Sequence, residues 1–281
     1  MASRLLAAAL PAAPAAPDGA TAVPAGGAAA GGPALLLIAH GSRDPRHAAT
    51  VNALVRRVGA LRPGTEVATA YLDHCTPRIP QVVSRLGDTP AVAVPLLLNR
   101  AFHAKKDIPA ALRAAGGGLP VADVLGPSPL LLAALERRLA ETGLNVASPA
   151  VRARTGLVLA AAGSSDPAAD AATHALAADW QRSRGWAAVE VAYASAGGPR
   201  VPDAVAALRA AGAGPVAVAP FLLAPGLLPD RITTAAEEAG ADHIATVLGA
   251  APEIARLVLA RYDSATRTAR SAHPAAAART A

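Results

Sequence analysis

The chain has a single cysteine, Cys75, in 281 residues. That rules out an internal disulfide and any cysteine-held cluster or zinc site within the chain. Aromatic residues are also scarce: two tryptophans, three tyrosines and two phenylalanines leave few platforms on which bases could stack. No nucleic-acid motif compensates, and the formal net charge of +6 is modest for this length, so nucleic acid is not an expected partner. A long hydrophobic run is missing as well. No stretch reaches the roughly 18 unbroken apolar residues that a membrane span needs, so no membrane partner is expected.

Both ends lack large apolar residues at any period. Residues 1–31 and 264–281 are mostly Ala, Pro, Gly and Arg, a composition that predicts disordered tails. The segment Met1–Leu10 has a leader-like apolar stretch, but Pro11 cuts it short. A tail is therefore expected rather than a signal peptide, in a soluble cytoplasmic protein.

What is present is a repeat. Leu35-Leu-Leu-Ile-Ala-His40-Gly41-Ser42-Arg43-Asp44-Pro45 is echoed by Gly156-Leu-Val-Leu-Ala-Ala-Ala162-Gly163-Ser164-Ser165-Asp166-Pro167. Further anchors keep step: Tyr71 with Tyr193, Ala91–Leu98 with Val216–Leu223, and Val124-Leu-Gly126 with Val247-Leu-Gly249. The period is too long for a solenoid, so two similar domains are expected. Their predicted bounds are 32–150 and 151–263.

Within each half, short Val/Leu/Ala runs without alternation suit strands buried on both faces of a parallel sheet. Amphipathic stretches lie between them. Val51, Leu54, Val55, Val58 and Leu61 recur at helical spacing. Asp44 is a good N-cap and Pro45 fits the first helical position, a device repeated at Asp166-Pro167. The expected fold class is α/β, with two doubly wound parallel-sheet domains of roughly four strands each.

Ligands of open α/β sheets bind beyond the carboxyl ends of the strands. Three residues of the first half should meet there: His40 after the first strand, Asp73 after the second and His103 after the third. Two imidazoles and a carboxylate suit a borderline divalent metal, and a neutral imidazole can also accept a proton near neutral pH. The same turn could hold an anion at a helix N-terminus, or use His40 as the base of a hydrolase or lyase. The second half has Ala162 in place of His40, and no histidine follows Pro220 before Asp230. His47, His74, His174, His243 and His273 read as structural or exposed. His74 and Cys75 are left out because neighbours on a strand point to opposite faces.

Three segments, Leu-Leu-Ile-Ala-His40-Gly-Ser-Arg, Tyr-Leu-Asp73-His-Cys-Thr-Pro77 and Val-Pro-Leu-Leu-Leu-Asn-Arg-Ala-Phe-His103-Ala-Lys-Lys-Asp-Ile-Pro109, together resemble the class II chelatases of the CbiX/SirB type. The likeness covers nearly all of the chain between the tails. It implies a sirohydrochlorin chelatase that inserts Fe2+ or Co2+ into the tetrapyrrole on the routes to sirohaem and cobalamin, the metal being a substrate and no organic cofactor being required. By position, His40 and His103 match the family's metal-binding and catalytic histidines. Asp73 stands where relatives commonly carry glutamate and would be a third ligand or a proton relay. Ser42, Arg43, Arg100, Lys105 and Lys106 would contact the substrate's carboxylates, arginine being suited to bidentate pairing. Asn99 and Arg100 depart from the small or uncharged residues expected there. The alternative is a metal or tetrapyrrole carrier that binds the same cargo without turnover. A monomer or homodimer is compatible with two fused halves.

Overall fold

A computed structural model describes residues 32–100, 106–116 and 118–272. The expected N-terminal tail, His103, Lys105 and His273 lie outside the described residues.

The first half begins with β1 (Ala34–Ala39), α1 (Pro45–Leu61), β2 (Val67–Tyr71) and α2 (Ile79–Leu86). It continues with β3 (Ala91–Pro95), α3 (Ile108–Ala114) and α4 (Pro129–Ala140). A single turn, α5 (Pro149–Arg152), leads to β4 (Gly156–Ala161), α6 (Pro167–Arg184), β5 (Ala188–Tyr193) and α7 (Val201–Ala210). The chain then runs through β6 (Val216–Phe221), α8 (Leu227–Glu238), β7 (His243–Ile244) and α9 (Pro252–Ala272).

All strand pairs are parallel, in two sheets ordered β2-β1-β3 and β5-β4-β6-β7. The expected fourth strand of the first half is reduced to one bridge, Ala93 to Val121. The repeat is kept in register: Ala39 pairs with Tyr71 as Ala161 pairs with Tyr193. Both central strands are buried along their whole length, which is why their sequences show no alternation.

Alternate residues of these strands nevertheless belong to different cores. Leu36 and Ile38 face one cluster with Ile79, Val82 and Ile108, while Val158 and Ala160 face another with Val201, Val205 and Ile232. Leu35 and Leu37 on one side, and Leu157 and Leu159 on the other, enter a single central cluster supplied by α1, α4, α6 and α9. The two sheets therefore share one continuous core. Leu61, expected on the buried face of α1, is 49% exposed because it ends the helix.

The last helix of each half crosses to its neighbour. The helix α4 packs on β6, and α9 packs on β3 and α1. Charged straps reinforce the exchange: Arg137 of α4 grips the buried Glu253 of α9 through two contacts of 2.9 and 2.7 Å, and Arg62 pairs with Asp263 at 2.5 Å. The helix α9 also corrects the expected tail boundary. It continues through residues 264–272, where composition predicts disorder. Ala and Arg are strong helix formers, and extending an existing helix costs far less than starting one. Among the described residues no helix is long and apolar enough to cross a membrane.

Candidate metal centre at the end of the first sheet

His40 leaves the end of β1 half-buried and enters a tight turn. The turn needs glycine: Gly41 has φ +93°, and a Cβ there would overlap the Asp73 carbonyl. The His40 carbonyl accepts the Asp73 N–H at 2.8 Å, which pins the loop after β2 to the loop after β1. Cys75 closes the same junction. Its thiol donates to the Ser42 carbonyl at 3.1 Å, and the Ser42 N–H lies 3.5 Å from the sulfur. Ser42 Oγ accepts from Asp44 N at 3.1 Å, and Asp44 caps α1 by accepting from Arg46 N at 2.9 Å. The Arg46 guanidinium beside Asp44 holds that carboxyl below the usual carboxylate range.

His40 Nδ1 lies 3.1 Å from the Gly41 carbonyl. A carbonyl only accepts, so in the neutral ring this contact places the proton on Nδ1 and the lone pair on Nε2. Asp73 is 55% exposed, and its carboxylate is already engaged. Oδ1 accepts from the His74 N–H at 2.8 Å and from Arg78 Nη2 at 3.1 Å, while Oδ2 is 3.4 Å from His74 Nε2. The His74 N–H and then Arg78 hold the Asp73 carboxyl below its ordinary range.

His74 sits beside this pair, its ring centroid 6.4 Å from that of His40. Sequence reasoning set it aside as a strand neighbour, but Leu72–Thr76 form a bend rather than a strand. Alternation does not apply there, so His74 and His40 share a rim. His47, one turn into α1, is half-buried near Tyr71, their ring centroids 6.4 Å apart. Burial, then the nearby His40 charge, push its pKa down.

The remaining expected residues are scattered. Arg43 and Lys106 are exposed, and Arg100 is ion-paired with Asp123 at the edge of the first sheet. Among the described residues no group of three His, Cys, Asp or Glu side chains could hold a metal ion; His103 and Lys105 lie outside those residues. Asn99 ties the halves together, its amide donating to Thr173 Oγ1 at 2.8 Å and lying 3.4 Å from the Ala169 carbonyl. From the second half, Asp230 meets Arg46 at 2.6 Å, and Gly226 lies across from the Ser42 hydroxyl.

The second half keeps the scaffold without these donors. Gly163 has φ +91°, Asp166 caps α6, and Ser195 N donates to the Ala162 carbonyl at 3.0 Å. His40, Asp73 and His74 correspond there to Ala162, Ser195 and Ala196.

The CbiX family model matches the chain twice, over residues 34–142 and 156–265. A sirohydrochlorin cobaltochelatase of Priestia megaterium is 26% identical over 70% of this chain, and the alignment spans 66% of that protein, just under two thirds. A sirohydrochlorin ferrochelatase of Priestia megaterium is also 26% identical, over 74% of this chain and 80% of its own length. Among solved structures, SirB from Bacillus subtilis with Fe3+ gives a TM-score of 0.73 at 22% identity, covering 85% of this chain and 97% of that one. SirB from Bacillus subtilis subspecies spizizenii in complex with cobalt gives 0.68 at 22% identity, with the same coverage. These two likenesses establish a shared fold.

Proposed function

The chain belongs to the CbiX family, as a tandem form of the CbiX/SirB class II sirohydrochlorin chelatases, and from that premise we propose that it inserts a divalent metal, Fe2+ or Co2+, into sirohydrochlorin. The product would feed sirohaem or cobalamin synthesis. The observation that carries the proposal is His40, which stands at the carboxyl end of the central strand with its Nδ1 against the Gly41 carbonyl, while the matching turn of the second half carries Ala162.

Metallation asks two things of a protein. Two pyrrole N–H protons must be taken up, and a hydrated ion must be held loosely enough to shed water into a stiff macrocycle. Imidazole is suited to both tasks, as a borderline ligand and as a base near neutral pH. In this reading His40 and His103 hold the ion with open positions; as the ion passes into the macrocycle, an imidazole it leaves takes one pyrrole proton and water takes the other. Asp73 supports the ion as a third donor or from behind. Ser42, Arg43, Arg100, Lys105 and Lys106 would meet the substrate's carboxylates, with no organic cofactor involved. The second half would form the far wall of the cleft: Gly226 opposite Ser42 and the Arg46–Asp230 pair support that placement. One chain would then suffice for a complete site.

The test is anaerobic incubation of sirohydrochlorin with Fe2+ or Co2+, separately and in competition, following the absorbance change of metallation. Multiple turnovers are expected, which a stoichiometric carrier would not give. His40→Ala and His103→Ala should each lose most of the rate. Wild-type rates in both variants would overturn the site assignment.

A further inference from the structure

We propose that His74 is an imidazole donor to the incoming metal ion, paired with His40 and oriented by Asp73. The inference rests on the chelatase reading and concerns which residues of this chain meet the metal.

The first support is distance. At an N–metal bond of about 2.1 Å, a ring centroid lies about 3.2 Å from the ion, so two imidazoles sharing one ion stand about 5 Å apart at a tetrahedral angle and about 6.4 Å apart when opposed. The His40 and His74 centroids are 6.4 Å apart, at the open end of that range. The His74 side chain is 34% exposed, so it has room to turn inward.

The second is the company His74 keeps. A metal-binding imidazole generally presents its other nitrogen to a carboxylate, which fixes the ring and raises its basicity. His74 Nε2 faces Asp73 Oδ2 at 3.4 Å, leaving Nδ1 as the donor atom. Asp73 is itself held by the His74 N–H and by Arg78, whose Nη1 also donates to the Leu72 carbonyl at 2.5 Å. Asp73 is thus placed as a positioning residue rather than a ligand. On the other side, the Gly41 carbonyl fixes the His40 tautomer in the same way.

The third is the backbone. His74 has φ +59°, the one positive φ at a non-glycine among the described residues. Such strain persists where surrounding structure enforces it, and it concentrates at functional sites. In the second half the corresponding turn carries its positive φ on Gly197 (φ +96°) instead. The first half alone holds an imidazole in the strained position, beside the histidine that the second half lacks.

The experiment is an anaerobic Co2+ titration of the full chain, read by the visible bands of the bound ion, in wild type, His74→Asn, Asp73→Asn and His40→Ala. Asparagine tolerates the left-handed backbone, and circular dichroism would confirm that each variant is folded. His74→Asn should change the band shape and weaken binding more than Asp73→Asn. The latter should keep the band shape while weakening binding by about 10- to 100-fold, as loss of an orienting partner does. Wild-type affinity and bands in His74→Asn, with binding lost in His40→Ala, would overturn the role of His74 and leave the chelatase reading standing. Unchanged binding in both histidine variants, with no metallation by wild type, would remove the inference and the reading together.

Discussion

The two Gly-Ser turns allow a folding effect to be separated from a functional one. Gly41 and Gly163 have nearly equal φ, +93° and +91°, and in each a Cβ would overlap a carbonyl of the neighbouring loop, Asp73 or Ala196. Alanine in the left-handed region costs about 1–2 kcal/mol. The overlapped atom is a backbone oxygen, 1.7 Å from the new Cβ at Gly41 and 2.0 Å at Gly163, so the loop must also move, by more than a single ~7° bond-angle distortion of about 1 kcal/mol can supply. Each variant should therefore lose at least about 2 kcal/mol, which lowers the midpoint of a domain this size by at least about 4 °C. Thermal and urea unfolding should place Gly41→Ala and Gly163→Ala close together. Co2+ titration and metallation, assayed well below both midpoints, should then separate them. Gly41→Ala displaces His40 from the Asp73 loop and should lose most of the activity, whereas Gly163→Ala should stay near wild type. Equal functional loss in the two variants would refute the assignment of the chemistry to the first turn. A stability difference well beyond 1 kcal/mol between them would refute the structural equivalence on which the comparison rests.

Two further outcomes concern the joint between the halves. Glu253 is held below the ordinary carboxylate range chiefly by its hydrogen bonds from Arg137; a lowered folded pKa means that the unfolded chain binds more protons in acid, so the stabilisation is complete above about 4.5 and is lost as pH falls through the folded value. Glu253→Gln should accordingly cost about 1–3 kcal/mol near neutrality, and urea midpoints for it and the wild type should converge as the pH is lowered through that window. Arg46→Ala should behave differently, because Arg46 and Asp230 are 52% and 54% exposed: its unfolding midpoint should stay close to that of the wild type.

Much of this architecture is legible in the sequence because the strands are buried on both faces and Gly-Ser and Asp-Pro punctuate their ends. Asp44 and Asp166 cap their helices as their positions predict, and the Tyr71 and Tyr193 anchors occupy equivalent register positions. Hydrophobic periodicity says that a helix face is buried but not against what. The crossing of α4 and α9 could not be read from Leu131, Leu135, Ile254 or Val258 for that reason. The extension of α9 was hidden by composition, since an Arg- and Ala-rich stretch reads as a tail until a packed helix precedes it. That the loops of His40 and Asp73 meet is legible because strand ends are visible in sequence, and the His40 to Asp73 backbone bond joins them. The left-handed step that brings His74 beside His40 leaves no periodic trace in the sequence.

The exchange of α4 and α9 gives the second copy a structural duty of its own. A first half alone would keep β1–β3 and lose α9, the cover that β3 and α1 now receive from the far end of the chain. Its β3 and α1 would be left without that cover. The second copy can therefore carry Ala162 at its turn and still be required for its final helix. Substitutions should accumulate at the rim around Ala162 and Ser195, while Ile254, Val258 and Tyr262 remain answerable to a sheet some 160 residues earlier.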